Sequence, residues 1–204
     1  MHRLIPRGRA PIAFTFAYIV LFSVGFMYGS NYEFALYTIV MFAALALVMI
    51  TLRHVDIPAR MLWALSFMGM LHMAGGGVHV NGERLYGYLL FDMYSASERG
   101  LVLLRYDQMV HLVGYGVIAI IIHFLLRRTA PQMGSVTVSL LAILAAMAIG
   151  SLNELTEFIA VLMLPSTGVG NYFNTMLDMS FNALGATVGV AAHEGWLRLK
   201  KPRE

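Results

Sequence analysis

The chain has 204 residues, of which 59% are hydrophobic and 12% are charged, about half the charged fraction of a typical soluble domain. So little polar surface excludes a water-soluble globule and predicts a protein embedded in a bilayer, while the absence of cysteine excludes disulfides and thiolate chemistry. The net charge of +3 does not indicate nucleic-acid binding, because the basic residues stand at the ends of apolar segments.

Six apolar segments predict six membrane-spanning helices. Each is close to the roughly 20 residues that an α-helix needs to cross the hydrocarbon core. The predicted helices cover residues 11–29, 34–52, 61–78, 107–126, 136–158 and 173–195. The predicted fold class is therefore an all-α six-transmembrane-helix bundle, which forms a single integral membrane domain over residues 1–204.

The basic residues predict the orientation of this bundle. Eleven of the 14 lysines and arginines stand at alternate ends of successive segments, which the positive-inside rule places in the cytoplasm. They are Arg3, Arg7, Arg9, Arg53, Arg60, Arg127, Arg128, Arg198, Lys200, Lys201 and Arg203. Both termini are then cytoplasmic.

The connection between the third and fourth helices, about residues 78–106, is the only long one and is predicted to be external. It contains the aromatic stretch YGYLLFDMY around Asp92. Such a segment can lie at the headgroup level or cap the bundle, or it can be a partly ordered surface loop.

Four predicted helices carry polar residues at the ends that face outward, because successive spans alternate in direction. These residues are His72 in the third, Asp107 and His111 in the fourth, Asn153, Glu154 and Glu157 in the fifth, and Asn174, Asp178 and Asn182 in the sixth. Within each helix they are three or four residues apart and share one face. Because polar side chains facing lipid are costly, we expect the faces to meet in one pocket.

The charges in this pocket do not balance. Asp107, Glu154, Glu157 and Asp178 supply up to four negative charges, and Arg105 is the one fixed cation nearby. Crowded carboxylates cannot all stay ionised at low dielectric, so the pocket favours a bound proton or metal ion. His111, Glu154, Glu157, Asp178 and His72 are the predicted ligands, and imidazole with carboxylate suits Zn, Mn or Fe.

The remaining predicted site residues support or use these ligands. Glu154, Glu157, Asp178 and Asp107 are the candidate acid and base groups. Asn174, Asn182, Tyr115 and Arg105 are expected around the ligands as orienting groups.

Simpler interpretations stay open for several of these residues. Glu154 and Glu157 can be a solvated helix end in the headgroup region, and Asp107 can be a helix N-cap. His111 can be a hydrogen-bonded core histidine, and His72 can end a helix at the glycines that follow it. His123 is predicted to stand alone in the inner half of the bundle.

Three segments carry a family resemblance. YDQMVHLVGYG, NELTEF and LDMSFNALGATVG resemble the motifs of the VanZ-like membrane domain superfamily. The matching residues are Asp107, His111, Tyr115, Glu154, Glu157, Asp178, Asn182, Gly185 and Gly189. LHMAGGGVHV and the long connection after it look more like the YjdF-like branch of uncharacterised bacterial inner-membrane proteins. The core would be about residues 60–195, with the first two helices as a variable addition at 1–55.

The resemblance implies a multi-pass protein of the prokaryotic plasma membrane, in a superfamily linked to glycopeptide susceptibility. The chain departs from the VanZ-like pattern in PSTGVGNYFN, which lacks the usual arginine, and Arg105 is the nearest substitute. We expect metal-assisted or carboxylate-driven chemistry on a lipid or lipid-linked envelope molecule. The alternatives are a cation- or proton-binding transport protein and a non-catalytic envelope scaffold.

Overall fold

A computed structural model describes residues 6–29, 32–91, 104–165 and 167–200. Within them the chain forms six α-helices, which confirms the six predicted segments. They are α1 Pro6–Tyr28, α2 Tyr32–Thr51, α3 Ala59–Gly77, α4 Tyr106–Thr129, α5 Ser135–Met163 and α6 Tyr172–Leu199. The predictions that rest on Arg3, Asp92, Lys201 and Arg203, and on the side chain of Arg7, lie outside this description.

Three of these helices are long and apolar enough to cross a membrane: Gly8–Tyr28, Tyr106–Thr129 and Ser135–Met163. α2 adds a shorter apolar stretch, Leu36–Thr51. The structure therefore agrees with a helical membrane protein. The count of six crossings and the cytoplasmic position of both termini stay predictions.

The helices α4 and α6 run side by side in the same direction. His111 of α4 contacts Asn182 of α6, and about three turns further along α4, His123 contacts Glu194 of α6. The two residues of each pair are 71 positions apart in the sequence. A constant offset along two helices requires them to be parallel, as alternating spans predict for the fourth and sixth.

Glycines allow α4 and α6 to touch through their backbones. A Cβ on Gly185 would overlap the carbonyl group of Leu112, and a Cβ on Gly189 would lie 2.7 Å from the Gly116 carbonyl oxygen. Small residues permit this approach, which in lipid is a main source of helix association. The polar residues of the two helices are brought together as a result.

An apolar layer fills the middle of the α4, α5 and α6 bundle. Its members are small and almost fully buried: Ala119, Ala142, Ala146, Ala186 and Val190. This layer separates the polar residues near the start of α4 from those near its end.

The long connection is folded in its described parts. The strands β1 His79–Val80 and β2 Glu83–Arg84 form a hairpin, and a 3-10 turn covers Leu85–Gly87. The strand β3 Leu89–Phe91 then pairs with β4 Leu104–Arg105, which leads into α4.

Tyr86 anchors this connection to the helices. Its ring stacks on Phe34 of α2, with centroids 5.9 Å apart, and meets Tyr106 edge-on. A Cβ on Gly75 would lie 2.5 Å from the Tyr86 ring, and one on Gly76 would overlap Phe34. The glycines after His72 therefore seat two aromatic rings, and the described part of the connection caps the bundle.

Candidate functional site

His111 is the central residue of the site. Its Nδ1 lies 2.8 Å from Oδ1 of Asn182, and its Nε2 lies 3.5 Å from Oδ1 of Asp107 one turn earlier. Since an amide oxygen only accepts, Nδ1 carries the hydrogen of this bond. The Asn182 contact fixes the ring and turns Nε2 toward Asp107, and Tyr115 stacks on the same ring with centroids 5.7 Å apart.

Asp107 and Asp178 are joined by the amide of Asn174. The Asn174 Nδ2 donates to Oδ2 of Asp178 at 2.6 Å and to Oδ2 of Asp107 at 3.3 Å. Asn171 caps the start of α6 by accepting from the backbone nitrogens of residues 173 and 174, which sets the direction of this helix. Asn174 therefore bridges two acids, and its role in orienting metal ligands stays a prediction.

Gln108 completes this network and was not among the predicted site residues. It is fully buried, and its Nε2 donates to Oδ1 of Asp178 at 2.7 Å. Its Oε1 accepts from the Arg105 backbone nitrogen at 3.0 Å, which closes the first turn of α4. The sequence offered one signal for this role of Gln108, which is an uncharged polar residue next to Asp107 in the first turn of α4.

Glu154 brings an unsatisfied carboxylate to the site. The residue is only 9% exposed, and neither of its oxygens has a hydrogen-bond partner within the described parts of the chain. Its Oε1 lies 4.0 Å from Nδ1 of His111. Burial of a carboxylate without partners is costly, so this group requires an explanation. A solvated helix end does not describe Glu154.

Glu157 lies one turn further along α5 and is partly exposed. Its Oε1 accepts from Nδ2 of Asn153 at 3.1 Å. α5 comes this close to α6 because Gly150 has no side chain: a Cβ there would lie 2.5 Å from Nδ2 of Asn182. That amide nitrogen is buried and, like the Glu154 carboxylate, has no hydrogen-bond partner among the described residues.

Two groups of three residues can each offer ligand atoms that lie within 4.8 Å of one another. They are Asp107, His111 and Asp178, and His111, Glu154 and Glu157. Since His111 belongs to both, the five residues form one set, which we call the acidic cluster. No lysine or arginine forms an ion pair with the acidic cluster in the described ranges.

The structure does not bring His72 into either group, although it was a predicted ligand. Its Nδ1 lies 2.5 Å from the Tyr86 hydroxyl, which also donates to the His72 carbonyl oxygen at 2.8 Å. Burial raises the pKa of Tyr86 well above its ordinary value, so the hydroxyl keeps its proton and acts as a donor. The sequence could not show that the hydroxyl of a tyrosine 14 residues later contacts the ring nitrogen of His72.

A cavity of about 90 Å³ opens beside the acidic cluster. Its lining includes Asp107, Glu157 and Asn174 together with Arg84, Arg105 and His72; the aromatic residues are Phe34, Tyr37 and Tyr86. The volume can hold several water molecules or one small polar group. Arg105 thus faces the cavity, while its backbone supports the start of α4.

Glu33, which lies just before the predicted helix 34–52, is part of the wall of this cavity. Its Oε2 accepts from Nη1 of Arg84 at 2.7 Å and from the Gly168 backbone nitrogen at 2.8 Å. These bonds connect α2, the hairpin and the segment before α6. The hydroxyl of Tyr37, also on the cavity, is buried without a hydrogen-bond partner in the described structure.

A second polar set lies near the other end of α4, about 18 Å away by the 12 residues between His111 and His123. The Oε1 of Glu194 lies 2.8 Å from Nε2 of His123 and accepts from Nη2 of Arg127 at 3.0 Å. We call these three residues the paired cluster. The prediction that His123 stands alone was wrong, because Glu194 was not counted among the intramembrane residues.

Comparison with protein families gives one match over most of the chain. The model of DUF2238, described as a predicted membrane protein, matches residues 10–199. The matched range includes α1 and α2 as well as the helices that carry the acidic cluster. No curated protein and no solved structure matches the chain.

Proposed function

The chain belongs to the DUF2238 family of predicted membrane proteins, and we propose that its acidic cluster binds a divalent metal ion and acts on a lipid or lipid-linked molecule of the cell envelope. The observation that carries this proposal is the buried Glu154 carboxylate, which faces His111 and has no hydrogen-bond partner among the described residues. Three further carboxylates belong to the same cluster, and no lysine or arginine among the described residues is in ion-pair contact with them.

A proton satisfies this arrangement less well than a metal ion. Protonation of Glu154 would remove one negative charge but would leave the other three carboxylates of the cluster without a balancing lysine or arginine among the described residues. The Nδ1 of His111 is 4.0 Å away from Oε1 of Glu154 and already donates to Asn182. A cation among the carboxylates removes both the charge excess and the unpaired oxygens.

The donor set limits the kind of metal. One imidazole and up to four carboxylates favour Zn, Mn or Fe over metals that prefer sulfur. Gln108, Asn174 and Asn182 would hold the ligands in place through the hydrogen bonds described above, as outer residues do around most metal sites. When bound, such an ion supplies a Lewis acid and lowers the pKa of a coordinated water.

The cavity supports a substrate with an anionic group. Arg105 and Arg84 line it together with Asp107 and Glu157, so a phosphate or carboxylate in the cavity can contact an arginine while its neighbouring atoms lie near the acidic cluster. A cavity of about 90 Å³ with an aromatic wall fits part of a lipid headgroup or of a lipid-linked sugar better than a large soluble molecule.

We also propose where this site lies. Arg127 and Arg128 end α4 at the opposite end from the acidic cluster, and the positive-inside rule then puts the cluster in the extracytoplasmic leaflet of a prokaryotic plasma membrane. The order and spacing of the motifs around Asp107, Glu154 and Asp178 support a relationship to the VanZ-like superfamily and its YjdF-like branch.

Transport and a scaffold role have less support. A cation or proton leaving the acidic cluster would have to pass the apolar layer around Ala119 and Ala186 before reaching the paired cluster. A scaffold gains little from like charges that repel each other, whereas the paired cluster shows how this fold joins helices with balanced charges.

Metal analysis of the purified protein tests the proposal. We expect close to one Zn, Mn or Fe per chain in mild detergent, and its loss in Glu154→Gln and in Asp178→Asn. The matched control is Glu194→Gln, which removes a partly buried acid that also contacts a histidine, and it should keep the metal. A folded wild-type chain that holds none of these metals after incubation with each would overturn the proposal.

A further inference from the structure

A second cavity lies in the bundle, and none of the residues that line it belongs to the acidic cluster. It has a volume of about 380 Å³ and lies between α3, α4 and α6. Its walls are mainly apolar and include Met61 and Ala64 of α3 and Val117 and Ile120 of α4. The volume is within the roughly 300–1,000 Å³ of typical ligand sites. Nothing in the proposed metal chemistry uses this groove.

Basic and aromatic residues stand at one end of the groove. The guanidinium carbon of Arg60 lies 5.0 Å from the centroid of the Trp196 ring, and Nζ of Lys200 lies 4.2 Å from it. Both cations are exposed, and neither pairs with an acid in the described parts of the chain. Glu194, two residues before Trp196, is already held by the paired cluster.

We propose that this groove binds an anionic phospholipid, with an acyl chain along the apolar walls and the phosphate at Arg60 and Lys200. Charge complementarity selects this occupant: an apolar slot that ends at two unpaired cations and an indole matches a lipid with a negative headgroup. A zwitterionic lipid would gain less from the two cations, and an apolar helix of another protein would gain nothing from them.

Trp196 provides a direct probe of the groove. The chain has two tryptophans, and Trp63 packs between Phe14 and Phe67, so Trp63→Phe leaves Trp196 as the only indole emitter. This variant is placed in phosphatidylcholine vesicles that contain brominated phosphatidylglycerol or, at the same mole fraction, brominated phosphatidylcholine. Bromine quenches tryptophan emission only at short range.

We expect the brominated anionic lipid to quench Trp196 more strongly by a factor of about two or more. Replacing both cations, Arg60→Gln with Lys200→Gln, should remove this difference. Arg128→Gln is the control: it also removes a basic residue, one that lies over Phe124, and should keep the preference. Circular dichroism checks that each variant is folded.

Two outcomes would overturn the proposal. Equal quenching by the two lipids in the Trp63→Phe protein would show that the groove does not select anionic lipid. An undiminished preference in the folded double variant would show that the selection arises elsewhere. The metal content is independent of both results.

Discussion

The acidic cluster and the paired cluster lie near the two ends of the same helix pair and use the same offset of 71 residues between α4 and α6. In the paired cluster, one carboxylate is shared by His123 and Arg127, so its charge is balanced. In the acidic cluster, four carboxylates surround His111, and no arginine or lysine in the described structure pairs with them.

This difference separates two uses of polar residues in a membrane bundle. A balanced set joins helices, because each buried donor or acceptor finds its partner within the fold. An unbalanced set is stable only with something added, and intramembrane ionisable groups of this kind usually mark functional sites. The comparison therefore predicts that replacing an acid of the paired cluster lowers stability, whereas replacing a similar acid of the acidic cluster does not.

Disturbing the close backbone contact between α4 and α6, on which both clusters depend, should have the largest effect on stability. Gly185→Ala places a methyl group on the Leu112 carbonyl and forces α4 and α6 apart. We expect a loss of about 3 kcal/mol or more in the free energy of unfolding in detergent, measured by thermal or denaturant unfolding. Gly114→Ala is the control, because its Cβ meets nothing within 4 Å. Similar stability of the two variants would contradict the account of the helix contact.

Removing one acid from each cluster tests the comparison itself. Glu194→Gln leaves Arg127 and His123 without their shared carboxylate and should destabilise the protein by about 2 kcal/mol. Glu154→Gln, measured in metal-free buffer with a chelator, should leave stability unchanged or raise it by about 1 kcal/mol, because it removes a buried charge without partners.

Unfolding midpoints of the two variants in the same chelated buffer decide between these expectations. A stability loss in Glu154→Gln equal to that in Glu194→Gln would mean that both acids fasten helices, which is the scaffold interpretation.

Sequence patterns predicted the helices and all five residues of the acidic cluster for clear physical reasons. The spacing of Asp107 with His111, and of Glu154 with Glu157, puts each pair on one helix face. The alternation of spans then places these faces at one level. Both arguments use only helix geometry and the cost of polar groups in lipid, which the sequence contains.

The missed residues depend on contacts between distant segments. Gln108 carries no charge and gives no periodic signal, yet it is fully buried against Asp178. Glu33 stands near the start of α2 and reaches Gly168 across 135 positions. His72 has the right depth for a ligand, but its ring nitrogen contacts the hydroxyl of Tyr86 from the connection. Only the packing of distant segments against one another decides such contacts.

The orienting amides should have a smaller effect than the ligands. Asn174→Ala removes the nitrogen shared by Asp107 and Asp178, but Gln108 still holds Asp178. We expect metal affinity to fall by about tenfold, at the lower end of the effect of outer residues, with little change in the apo protein's unfolding. Competition with a fluorescent chelator measures the affinity. An unchanged value would remove Asn174 from the site.

The smallest expected effect concerns the connection. Tyr86→Phe removes the hydroxyl that contacts His72 and should cost about 1 kcal/mol of stability. Because the pKa of Tyr86 is raised, the hydroxyl stays protonated in both states below its ordinary pKa of about 10. The loss should therefore be the same at about pH 6 and about pH 9. A loss that disappears at the higher pH would contradict this assignment.

Calorimetric titration of Zn²⁺ or Mn²⁺ into chelator-stripped protein tests the central claim most directly. The account predicts one saturable site in the wild type, a loss of at least about a hundredfold in affinity in Glu154→Gln, and unchanged binding in Glu194→Gln. Equal binding by all three folded proteins, or binding by none of them, would contradict it.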